Sequence, residues 1–214
     1  MTRSTVRTSH GEVSVAIDGP RDASTTVVLG HGAGSGMDGD YMAFFASGLA
    51  GDDRRVVRFN FPYMEQGRKS PDKQPVSERV FQEVGDFFRT ERLVLGGKSY
   101  GGRIASHAVA AEEINADGLV FLGYPLHPPG RPDRIRDAHL HEIECPMLFV
   151  EGTRDPFCPL ETLEGVRKAL SAPTEVVVIE DGDHSLKVRK SSGRSTKDAW
   201  TEAVAAIEGW LAKL

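Results

Sequence analysis

The sequence predicts an α/β protein with a mostly parallel central sheet and helices on both faces. Three observations point there. Short β-branched runs alternate with longer amphipathic stretches along most of the chain, the rhythm of repeated strand–helix–strand units. Most of the strand runs are apolar nearly throughout, as strands buried on both faces must be. Glycine- or proline-rich turns follow the runs, where the chain must change direction.

Taken in order, Glu12–Ile17 alternates polar and apolar residues and reads as a half-exposed strand near the sheet edge. Thr25–Leu29 (TTVVL) is a buried-strand run that ends at Gly30. Arg55–Phe59, Leu93–Leu95, Gly118–Leu122, Met147–Val150 and Glu175–Ile179 are of the same kind. Helices are expected over Tyr41–Leu49, Glu78–Phe88 with Ser77 as N-cap, Arg103–Ala111, Leu160–Leu170 and Lys197–Leu214. In the last, Trp200, Val204, Ile207, Trp210 and Leu211 form one apolar stripe, which a docking helix needs.

At 214 residues the chain suits one domain, 1–214, with ample material for a sheet-centred core. Its 26 Lys and Arg against 31 Asp and Glu leave a net charge of −5, the wrong sign for a nucleic-acid surface. Cys145 and Cys158 are too few for a disulfide framework, and no Cys/His spacing suits a metal. Met1–Pro20 lacks a secretory leader pattern, and no run reaches membrane-spanning length. The expectation is a cytoplasmic monomer or homodimer that acts on a small molecule. Neither a metal nor an organic cofactor, nor a nucleic-acid or membrane partner, is expected.

The chemistry centres on Gly97-Lys98-Ser99-Tyr100-Gly101, a G-x-S-x-G pattern between a strand and a helical run. A serine on such a sharp turn projects its hydroxyl above the sheet, and the glycines remove side chains that would collide with neighbouring elements. A hydroxyl needs a base. His184, in the loop after the last strand, is the candidate; His10, His107, His139 and His141 are placed less well. The base needs an acid to set its tautomer, and Asp155 stands just past the MLFV strand. Asp181 and Asp183 share the loop of His184 and read as turn-formers. The order Ser99, Asp155, His184 places each group after a separate strand. His31-Gly32-Ala33-Gly34 follows the TTVVL strand, where small residues let backbone N–H groups meet an oxyanion. The donors are assigned to Ala33, with Gly34 as the alternative, and to Tyr100. Gly34, Gly36 and Gly39 match a dinucleotide-binding spacing literally, but they begin several residues past the strand, and the next strand ends without an acidic residue for a ribose.

These residues resemble the α/β-hydrolase superfamily over essentially the whole chain from Glu12 onward, and its compact dienelactone-hydrolase-like branch in particular. That branch usually carries a cysteine nucleophile; Ser99 stands in its place here, so the lactone substrate does not carry over. Asn60-Phe61-Pro62-Tyr63 and Tyr124–Gly130 are similar to testis-expressed hydrolase-like proteins and to a scaffold subunit of a histone-acetyltransferase complex. The expected activity is hydrolysis of small carboxylic esters or thioesters through an acyl-enzyme. The alternatives are a scaffold protein on a retained hydrolase fold, or a small peptidase.

Loops that leave the strands should line the pocket with His31, Phe61, Tyr63, Lys98, Tyr124, His127 and Phe157. A basic run, Arg68–Lys73, with Lys98, Arg103 and Arg134, would favour an anionic substrate if two or more converged there. Gly123–Pro146, where relatives insert a lid, is too short for a cap domain. One short helix near Asp133–Leu140 is expected, and with it an open site.

Overall fold

Runs of Val, Leu and Phe without polar interruption can be satisfied only inside a sheet covered on both sides, and they form its centre. The computed structural model describes residues 1–214. Strands β1 (Thr2–Thr8), β2 (Gly11–Asp18), β3 (Thr25–Gly30), β4 (Arg54–Phe59), β5 (Arg92–Lys98), β6 (Gly118–Leu122), β7 (Met147–Gly152) and β8 (Thr174–Ile179) join in one eight-stranded sheet. The order is β1-β2-β4-β3-β5-β6-β7-β8. From β4 to β8 all pairings are parallel, whereas at one edge β2 pairs antiparallel with both β1 and β4, so that β2 alone runs against the rest.

The helices are α1 (Asp40–Leu49), α2 (Pro62–Glu65), α3 (Gln74–Phe87), α4 (Tyr100–Ala110), α5 (Leu160–Ala169) and α6 (Thr196–Leu211). Strand alternation sorts the core into two halves. Val28, Val57, Leu95, Phe121 and Phe149 face the layer built from α3, α4 and α5. Val27, Leu29, Val56, Val94 and Val120 face α1 and α6 on the other side. A capping box of Ser195 and Asp198 starts α6 by satisfying otherwise unpaired N–H groups.

Several boundaries differ from the sequence expectations, each for a local reason. Glu12–Ile17 lies in β2, one strand in from the edge as expected. The edge itself is β1, which the sequence pattern does not announce and which pairs along its full length, Thr2 with Ile17 through Thr8 with Gly11. Helix α3 begins at Gln74, a turn before the expected start. Pro75 fits the first turn without needing a donor, and Ser77 is buried within the helix. Helix α4 begins at Tyr100, directly after Ser99. The segment between β6 and β7 holds only a 3-10 turn at Ala138–Glu142, so no separate cap domain covers the sheet. No helix is long and apolar enough to cross a membrane.

Strand order reverses at β3, whose neighbours β4 and β5 are both later in the chain. Loops diverge on either side of such a point and leave a crevice at the carboxyl ends of the strands. Ser99, Asp155, His184 and His31–Gly34 all lie in loops at those ends.

Candidate active site

Ser99 is the hinge between β5 and α4, with φ 50° and ψ −109°, outside both the strand and helix regions. Close packing on β3 imposes this turn. A Cβ on Gly97 or on Gly101 would lie 2.1 Å from the carbonyl oxygen of Gly30. Only glycine fits at either position, so the spacing of the motif is set by contact with a neighbouring strand. The Ser99 N–H donates to the Leu122 carbonyl at 3.1 Å, which ties the turn to β6.

The structure brings the three expected side chains into one line. His184 Nε2 is 2.8 Å from Ser99 Oγ, and His184 Nδ1 is 2.7 Å from Asp155 Oδ2. The tautomer with Nδ1–H donating to Asp155 leaves Nε2 free to accept the Ser99 proton. The other carboxylate oxygen of Asp155 accepts the Phe157 N–H at 2.8 Å, and the side chain of Asp155 is fully buried. The Phe157 ring packs edge-on against His184 at 4.7 Å.

The His184 loop is held from several sides. Asp183 Oδ1 accepts the N–H groups of Ser185 and Lys187 at 2.8 and 3.0 Å. Asp181 pairs with Arg154 and Arg189. Both therefore shape the loop and leave Asp155 to meet the imidazole. Lys98 Nζ donates to the His184 carbonyl from beneath, and sits 5.7 Å from the centre of the Tyr41 ring. Burial pulls the Lys98 pKa down to about 8, against the pull of nearby Asp155, Glu151 and Asp183.

Glu151, the penultimate residue of β7, was not anticipated. It is wholly buried, and its Oε1 accepts the Tyr124 N–H at 2.6 Å. Burial, reinforced by the charge of Asp155, raises its pKa well above the usual carboxyl range. A carboxylic acid therefore lies under the Asp155 carboxylate. The visible signal was an acidic residue closing the apolar run MLFVE, a position where an unpaired charge is rarely tolerated.

The loop after β3 is fixed by His31. Its Nδ1 is 2.8 Å from the Gly32 carbonyl and its Nε2 accepts the Phe61 N–H at 3.2 Å. Burial lowers the His31 pKa to about 4, so the neutral ring with Nδ1–H makes both bonds. The Gly34 N–H is already taken by the Tyr63 hydroxyl at 3.3 Å, whereas the Ala33 N–H meets no acceptor in the protein. Tyr100 opens α4, where the first N–H groups have no preceding turn to bond. Ala33 and Tyr100 thus present the free donors, and both border the cavity that holds Ser99.

That cavity, about 180 Å³, also takes in His184, His127 and Phe157 from the expected set. Five expected pocket residues lie elsewhere. His31, Phe61 and Tyr63 are fully buried, packed on one another as a wall behind the β3 loop. The Tyr124 hydroxyl turns inward to Ser106 Oγ and His139 Nε2, both at 3.0 Å. Strand alternation directs Lys98 to the α1 side, toward Tyr41 and away from the cavity. Of the basic candidates only Arg103 reaches the lining; Arg136, which belongs to no sequence motif, joins it in place of Arg134.

Residues 23–212 match the family model described as an alpha/beta hydrolase domain. Solved structures share the fold at low identity. An alpha-beta serine hydrolase homologue from Coxiella burnetii is 21% identical, with a TM-score of 0.73 over 95% of both chains. A serine hydrolase without lid from Xanthomonas campestris is 20% identical, with a TM-score of 0.73 over 98% of this chain and 94% of that one. Dienelactone hydrolase from Anabaena variabilis is 17% identical, with a TM-score of 0.77 over 99% of this chain and 96% of that one.

Proposed function

The chain belongs to the α/β-hydrolase domain family, and on that premise we propose that it is a serine hydrolase of small carboxylic esters or thioesters. The observation that carries this reading is the unbroken line of Ser99, His184 and Asp155, with contacts of 2.8 and 2.7 Å.

Ser99 Oγ attacks the carbonyl carbon as His184 Nε2 takes its proton, and Asp155 stabilises the imidazolium that forms. The carbonyl oxygen becomes an oxyanion held by the Ala33 and Tyr100 N–H groups, a contact worth about 3–4 kcal/mol per donor in mutational tests. His184 returns the proton to the leaving alcohol or thiol. Water, activated by the same imidazole, then releases the acid from Ser99. The small cavity and the lack of a cap favour short acyl groups.

The test is steady-state hydrolysis of p-nitrophenyl esters of graded length. Acetate and butyrate should be cleaved faster than the twelve-carbon laurate. Faster cleavage of laurate would overturn the reading of a small, uncapped site.

A further inference from the structure

Two guanidinium groups line the cavity that holds Ser99, and no Asp or Glu lines it with them. Arg103 stands four residues after Ser99 on α4, about 6 Å along the helix axis. Its Nη1 lies 3.1 Å from His107 Nε2, and its Nη2 donates to Gln74 Oε1 at 2.7 Å. Both partners are uncharged. The His107 ring, stacked on His139 at 3.6 Å, has its pKa lowered to about 4, first by burial and then by Arg103 and Arg136. Arg103 is therefore held in place by uncharged hydrogen-bond partners and makes no contact ion pair, although Glu78 feels its charge from behind. The acid behind it, Glu78, is hydrogen-bonded to Gln74 and lies 3.9 Å from the far side of His107.

Arg136 enters from the loop between β6 and β7. Its backbone N–H donates to the Leu126 carbonyl at 2.7 Å, but its guanidinium has no hydrogen-bond or ion-pair partner in the protein. Arg103 and Arg134 both repel its charge. Like charges gathered without a counterion cost energy, and an anion between them recovers it with charge-assisted hydrogen bonds. A planar fork of donors suits a carboxylate.

We propose that Arg103 and Arg136 form a carboxylate-binding subsite, so that the preferred ester bears a carboxylate a few bonds from its scissile carbonyl. This inference rests on the ester-hydrolase reading. The carboxylate can belong to the acyl part or to the alcohol part, and two substrate pairs separate these. One pair is 4-nitrophenyl monoglutarate and its methyl ester; the other is 4-acetoxybenzoate and its methyl ester.

In at least one pair the anionic member should have a kcat/KM about tenfold or more above its neutral partner, a preference that Arg136→Gln and Arg103→Gln reduce and that salt weakens. The ratio within each variant controls for loss of folded enzyme. Ratios near one in both pairs, or a preference that survives both substitutions, would overturn the subsite. Calorimetric binding of monomethyl glutarate to Ser99→Ala protein, with and without Arg136→Gln, needs no turnover. Arg136-dependent binding with no hydrolysis of any ester sustains the subsite and removes the hydrolase reading. Hydrolysis without charge preference, and no Arg136-dependent binding, does the reverse.

Discussion

Glu151 and Asp155 present their carboxyl groups to each other inside the protein, one within β7 and the other just past its end. Only one of two such groups can stay ionised cheaply, and Asp155 is the one beside the imidazole. Burial and the charge of Asp155 favour the protonated form of Glu151, whose Oε2 is buried without a hydrogen-bond partner. Because its folded pKa is raised, the native state holds more protons than the unfolded chain once pH passes the ordinary carboxyl value. Stability is therefore lost with rising pH from about 5 upward. Glu151→Gln, which keeps an acceptor for the Tyr124 N–H and carries no titratable proton, should lack this loss. The check is urea unfolding of both proteins across pH; parallel curves would count against a protonated Glu151. Glu151→Ala removes the acceptor and should cost about 1–3 kcal/mol.

Acid should act through histidines with the opposite sign. Burial is the main cause lowering the pKa of His31 and His107 to about 4 and of His139 to about 3. The unfolded chain takes up protons at these rings first, so stability is present above pH 6.5 and lost as pH falls toward 4. The unfolding free energy should drop by about 2 kcal/mol or more between pH 7 and 5. His139→Gln should flatten the slope in that interval. An unchanged slope would mean that His139 is not held neutral.

The contact between Gly101 and Gly30 leaves no room for a methyl group, since the added carbon would lie 2.1 Å from a backbone oxygen. Gly101→Ala must push α4 from β3 and displace Ser99 with it. A loss of about 3 kcal/mol or more in unfolding free energy is expected, at the upper end of overpacking costs. By contrast Gly165→Ala, on exposed α5 with open space around it, should be neutral or stabilising. Equal stability of the two variants in urea would contradict the packing argument.

Much of this architecture was legible because the parallel strands are buried on both faces and announce themselves as apolar runs. Strand β1 was not, since six of its seven residues (all but Val6) remain outside the core and carry no alternation. The chain positions of Ser99, Asp155 and His184 followed from their place after three separate strands, β5, β7 and β8. The cavity wall was harder to read. Proline and aromatic residues in a loop look alike whether they turn inward, as Tyr124 does, or outward, as Phe157 does. Arg136 carries no motif; its role depends on a loop path that local pattern does not determine. Glu151 differs, because an acid at the end of an apolar strand was visible in the sequence.

Reaction with a fluorophosphonate probe tests the central claim most directly, because the phosphorus mimics the carbonyl that Ser99 attacks. Mass spectrometry of the intact protein and its peptides should find a single adduct on Ser99 in the wild type. Ser99→Ala should give none, and His184→Ala should react far more slowly. A folded wild-type protein that takes up no probe, or an adduct on another residue that persists in Ser99→Ala, would contradict the account.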